Sequence, residues 1–214
     1  MTLTTEKEPV DVVGVLAGIR AGGALDALRR RRPVTREQLQ ASHDALFRPI
    51  ETAGVSVEER LLIAAFATRL TADDETAARY AALAQEADAA RAAVVIAEAA
   101  AAAVPGPFGT YTELGLQAES TDGPRYVAST AVRDALGVRL TAALVHTQLL
   151  VSRPREASAD ALDALLTAGW SIDGIITLSQ LVSFLAFQQR VAAGLRVLAA
   201  ASDEPITTPE EPAA

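Results

Sequence analysis

Ser56-Val57-Glu58-Glu59-Arg60-Leu61-Leu62-Ile63-Ala64-Ala65-Phe66-Ala67-Thr68-Arg69-Leu70 is the stretch on which the fold turns. Ser56 followed three residues later by Glu59 fits the reciprocal capping box that satisfies free amides at a helix start. Leu61, Leu62, Ala65, Phe66 and Leu70 then recur on one helical face. Thr71 to Asp74 supplies a turn that caps a second helix running to about Asp88, so an antiparallel helical hairpin is predicted. No alternation of strand type occurs anywhere, and no glycine-rich phosphate loop follows a strand signal. The expected fold class is all-α.

Upstream, Val10 to Ile19 and Gly23 to Arg32 carry helical spacing and break at Ala21-Gly22-Gly23. Arg29 to Arg32 end at Pro33, where four cations in a last turn complement exposed carbonyls; the competing reading is a phosphate or partner patch. Thr35 with Gln38 predicts another helix start near residue 35. Downstream, Ala89 to Val104 is nearly pure Ala and Val around Glu98, a composition that lets helix axes approach closely. Pro105-Gly106-Pro107 stops it, and Phe108 to Pro124 reads as a long loop that could cover a site. Helices follow over Arg125 to Leu136 and Val138 to Val151, then one from Ser158 to the stop at Gly169. Ser171 begins the longest helix, to about Ala201, whose apolar residues on almost every side predict the core of the fold. Residues 10–201 are expected to form one domain, with an N-terminal arm over 10–50 and a core over 56–201. Residues 1–9 and the acidic, proline-interrupted residues 202–214 are expected to be disordered.

At 214 residues, with 50% apolar and 21% charged, the chain has enough apolar content to bury a sizeable core. A net charge of −8 repels phosphate backbones and anionic lipid, which argues against nucleic acid as a partner. With no cysteine there is no disulfide and no thiolate ligand, and His43 and His146 are the only imidazoles, so neither a metal nor a cofactor is expected. The N-terminus lacks the pattern of a secretory signal, which suggests a cytoplasmic location. Gly174 to Gln189 has sixteen residues without a charge, but a bilayer takes about 20, and Ser179, Gln180, Ser183 and Gln188 interrupt it. A buried helix is expected there, not a membrane span.

Ser56 to Ala64 resembles the helix that opens the core of the alkylhydroperoxidase D and carboxymuconolactone decarboxylase superfamily. Gly169 to Val182, continuing through Phe184 to Gln188 and Arg190 to Leu195, looks like the closing helix of peroxidase-related members. Asp11 to Ile19 followed by Ala24 to Arg29 is similar to the arm of an uncharacterised subgroup. The resemblance implies an alkylhydroperoxidase D-like domain of antiparallel helix hairpins that self-associates. Active members carry Glu, then Cys-x-x-Cys, then His on two consecutive helices. With Glu59-Arg60 set against the family's Glu-Arg, those positions fall on Leu61, Asp73, Thr76 and Tyr80. None of these side chains forms a sulfenic acid or disulfide, so the dithiol peroxidase mechanism is closed to this chain.

Other chemistry would need acid, base and electrophile groups. His146 could act as general acid or base if it faced a cavity, against the simpler reading of a core histidine bonded to a carbonyl. Tyr80 and Glu113 complete the candidate catalytic set. Glu98, alone among Ala and Val, could hold a proton if desolvated, or could face solvent or an Arg. Tyr80, Tyr111 and Trp170 could line a pocket or anchor the core, and Gln180, Gln188 and Gln189 need partners if buried. Two functions follow. One is a catalytically degenerate homo-oligomeric scaffold that binds a small apolar molecule or a cysteine-bearing relative. The other is a cysteine-independent acid/base enzyme acting on a small carbonyl or lactone, of the decarboxylase type.

Overall fold

The computed structural model describes residues 11–52 and 54–201, so the expectations for residues 1–9 and 202–214 lie outside the described residues. Nine α-helices are described: α1 (Val12–Leu16), α2 (Ala24–Arg30), α3 (Pro33–Phe47), α4 (Val57–Thr71), α5 (Glu75–Ala87), α6 (Ala89–Ala102), α7 (Thr130–Ser152), α8 (Ala159–Thr167) and α9 (Ile172–Ala201). The only strand-like pairing among the described residues is one isolated antiparallel bridge, Gly109 with Thr121. The protein is all-α.

The helix starts follow local side-chain chemistry. Ser56 and Glu59 form the full capping box, with Glu59 N to Ser56 Oγ at 3.1 Å and Ser56 N to Glu59 Oε2 at 2.9 Å. Asp74, Asp88, Ser129, Ser158 and Ser171 likewise accept amides at the starts of α5 to α9. Gly169, at φ 90°, provides the left-handed turn after α8, and Gly137, at φ 78°, breaks α7 where two helices are expected. Two starts differ from expectation. α3 begins at Pro33, because proline is preorganised for a first helical position, so Thr35 falls inside the first turn. α7 begins at Thr130, where Ser129 supplies the cap that Arg125 cannot.

The chain divides into two compact units, residues 44–189 and residues 1–43 with 190–214. In the larger unit α4 is the centre. It packs against α5, α6 and α7, and Leu62, Ile63, Ala64 and Phe66 are wholly buried. Ala64, Ala65 and Ala67 let neighbouring axes come close. Even Arg60 is buried: its guanidinium donates to the carbonyls of Leu46 (2.8 Å), Thr52 (2.7 Å) and Val55 (3.0 Å), tying the preceding loop to the helix. α9 is therefore not the all-round buried core that its composition predicts. Leu178, Leu181, Val182 and Leu185 are buried, but Ile172, Ile176 and Phe187 stand half or more exposed.

In the smaller unit Leu16, Ala17 and Ala192 form a separate apolar cluster. Asp11 caps α1 through Gly14 N (3.0 Å) and pairs with Arg29 and Arg36. Burial pushes the Asp11 carboxyl up, but the Arg29 hydrogen bond, the Gly14 amide and the charges of Arg29 and Arg36 outweigh it and hold the group below the usual carboxylate range.

By length and composition α7 and α9 could each cross a membrane, although their apolar windows are 50% and 33% buried within the chain.

Candidate functional site

α8 packs beside α7 and opens a cleft of about 370 Å³ between them. Val138, Val145, Leu149, Ala161, Leu165 and Ala168 give it an apolar lining. The α7 register brings Thr141, Val145, His146 and Leu149 to this face, one turn apart as i, i+4, i+5 and i+8. Thr141 spends its hydroxyl on Gly137 O at 2.7 Å. His146 is different: it is 5% exposed, and neither ring nitrogen has a hydrogen-bond partner. The expected carbonyl partner of a core histidine is absent among the described residues. Desolvation lowers the imidazole pKa, so the ring is neutral at pH 7 and carries one donor and one acceptor, both buried. Arg133 also lines the cleft and pairs with no carboxylate among the described residues.

The other candidates lie elsewhere. Tyr80 is 1% exposed, its ring 5.2 Å from that of Phe47 and its hydroxyl donated to Gln188 Oε1 at 2.7 Å. Burial pushes the Tyr80 pKa well above the phenolic range, so it does not release a proton near neutrality. Gln189 Nε2 donates to Asp74 Oδ1 (2.8 Å) and Ala72 O (3.3 Å). Thr76 Oγ1, Gln188 Nε2 and Gln189 Oε1 are buried without partners. Thr76 and Tyr80 thus lie buried, as do Gln188 and Gln189, whereas Asp73 is exposed and pairs with Arg69 at 3.1 Å. Gln180, in contrast, is exposed.

Glu113 is exposed and stands before the 3-10 turn Leu114–Glu119 without capping it. Its loop does not line the His146 cleft. The loop is fastened instead to the segment after α7. Phe108 N donates to Ser152 O (2.7 Å), Arg153 Nη1 donates to Gly123 O (2.5 Å), and the Arg155 guanidinium lies 4.2 Å from the Tyr111 ring centroid. Glu156 accepts from Arg153 and Arg125, which holds its pKa down to about 2. Glu98 is half-buried and accepts the Tyr126 hydroxyl at 2.8 Å, a partner the sequence does not suggest. Trp170 lies under Arg139, 4.1 Å from the ring centroid, and donates to Arg139 O at 3.0 Å. Arg139 in turn reaches Glu59 at 2.8 Å and the carbonyls of Gly54 and Gly169.

Nothing in sequence spacing marks Arg60 or Arg139 as anchors, because Arg60 donates only to backbone carbonyls and the partners of Arg139 lie 30 or more residues away. Among the described residues no group of three or more His, Asp or Glu side chains is placed to hold a metal ion. In comparisons with protein-family models, curated proteins and solved structures, nothing matches the chain.

Proposed function

We infer that this chain is a small-molecule-binding protein whose site is the α7–α8 cleft, and that its ligand is a compact, mainly apolar molecule with one polar group. The observation that carries the reading is the unpartnered, buried imidazole of His146 in an apolar cleft of about 370 Å³. Clefts of this size suit small ligands, and an unsatisfied buried polar group is costly unless something meets it. A ligand oxygen or N–H against His146 removes that cost and fixes orientation. The acid/base enzyme reading finds less support, because Tyr80 is committed to Gln188 and Glu113 is exposed on a loop outside the cleft.

From the sequence resemblance we propose that the chain is a carboxymuconolactone decarboxylase-domain, peroxidase-related protein without the redox dithiol. The α4–α5 pairing and the burial of Thr76 and Tyr80 are consistent with that assignment. Self-association belongs to the same reading: Val138, Val145, Leu162, Leu166, Ile172 and Ile176 leave apolar surface exposed on α7, α8 and the start of α9. We place the protein in the cytoplasm as a homo-oligomer, without nucleic acid or membrane partners and without a cofactor.

Native mass spectrometry of protein purified from its own host tests this. The expected result is an oligomer carrying an adduct of defined small mass, which His146→Leu loses while keeping the oligomer. An adduct held equally by His146→Leu, or turnover of a lactone or peroxide by the pure protein, would sink the reading.

A further inference from the structure

The chain is acidic overall, with a net charge of −8, yet the described residues of its smaller unit carry an excess of positive charge. Among the described residues of that unit, eight arginines face only Asp11, Asp26 and Glu37. Half of those arginines converge on a groove of about 670 Å³, separate from the His146 cleft. Leu28, Leu39, Val191 and Leu195 supply its apolar surface; Arg29, Arg31, Arg32 and Arg36 supply its charge, and no carboxylate lines it.

The four cations are not equivalent. Asp11 holds Arg29 through Oδ1 at 3.0 Å and Arg36 through Oδ2 at 2.9 Å, with Asp26 3.9 Å from Arg36. Arg30, outside the groove, pairs with Asp26 at 3.0 Å. Arg31 and Arg32 make no ion pair among the described residues and lie exposed just past the end of α2 at Arg30. The expected role of the arginine run, to complement a last helical turn, therefore accounts for Arg29 and Arg30 and leaves the next two unexplained. Two unpaired guanidiniums beside four aliphatic side chains have the charge and shape complement of an amphiphilic anion.

We propose that this groove binds a straight-chain carboxylate, its head paired with Arg31 and Arg32 and its alkyl chain lying against Leu28, Leu39, Val191 and Leu195. The two halves of the ligand contribute separately. Each methylene taken out of water strengthens binding by about four-fold, and loss of both guanidiniums weakens it by about ten-fold or more. Neither half suffices, so acetate and a neutral alkyl chain both bind more weakly than the amphiphile.

The test is isothermal titration calorimetry of the full chain with decanoate, decan-1-ol and acetate. Decanoate should bind one per chain, at least ten-fold tighter than decan-1-ol, with no measurable acetate binding. The Arg31→Gln, Arg32→Gln double variant should weaken decanoate about ten-fold and leave decan-1-ol unchanged; both positions are exposed, so circular dichroism should match the parent. His146→Leu should leave decanoate binding intact, which separates this groove from the α7–α8 cleft. Equal affinity for the acid and the alcohol, full affinity in the double variant, or loss in His146→Leu would each overturn the proposal. So would binding to anionic vesicles without binding to free decanoate, which would make the arginines a membrane-surface patch.

Discussion

α4 and α9 are both strongly apolar helices, and they are buried very differently. α4 has nine of its 15 residues buried, Arg60 among them. α9 is twice as long, yet Ile172, Ile176, Phe187, Val197 and Leu198 stand 47% to 69% exposed. Apolar content alone therefore does not place a helix at a centre. α4 is central because α5, α6 and α7 cover its faces and its alanines let them approach. In α9 the buried Leu178, Leu181, Val182 and Leu185 form one stripe, and the exposed apolar residues lie off it.

The largest effects should come from α4. Phe66→Ala removes a wholly buried ring and should cost about 3–5 kcal/mol in urea unfolding. A loss below about 1 kcal/mol would mean that α4 is not the centre. Arg60→Met should cost about 3 kcal/mol, because it strips the carbonyls of Leu46, Thr52 and Val55 of a charged donor. Lys should rescue little, since one ammonium lacks the guanidinium's planar spread of donors.

These contrasts show what the sequence could and could not reveal. The capping box at Ser56 and Glu59, the caps at Ser158 and Ser171 and the breaks at Gly137 and Gly169 are local chemistry, and each lies where it is read. Which helix the others surround is non-local. It depends on side chains far apart in sequence, so the long apolar run of α9 misdirects and the shorter α4 is central. The site was legible only in part. His146 was visible as a rare imidazole on an apolar helix, but its missing partners depend on how α8 packs beside it. Tyr80 was visible as an aromatic, while its Gln188 partner lies 108 residues away. Glu113 had only its position in a long loop to recommend it.

Smaller effects sharpen the same comparison. Tyr80→Phe should cost about 1–2 kcal/mol, because Gln188 Oε1 then lacks its donor in a buried place. If it costs nothing, the cluster of Thr76, Gln188 and Gln189 is reached by water. Ile176→Ala, on the exposed face of α9, should change unfolding by no more than about 0.5 kcal/mol in the monomer. A loss above about 2 kcal/mol that grows with protein concentration would show that a second copy covers this face.

The smallest and most local effect is the pH dependence that His146 brings. Its folded pKa lies below the ordinary 6.5 because burial disfavours the imidazolium. The unfolded chain therefore binds a proton at this ring before the folded chain does, and stability falls as pH drops through 6.5 toward the lower folded value. Asp11, Asp26 and Glu156 have folded pKa values lowered from 3.8, 3.8 and 4.5, so their own acid loss comes well below this window. Urea midpoints between pH 7.5 and 5.5 should decline in the parent and decline less in His146→Leu. A ligand that donates a hydrogen bond to the unprotonated ring nitrogen should deepen the decline, because it binds the form that acid removes. If parent and variant track each other across the window, the imidazole already has a partner, and the α7–α8 cleft loses its claim to be a binding site.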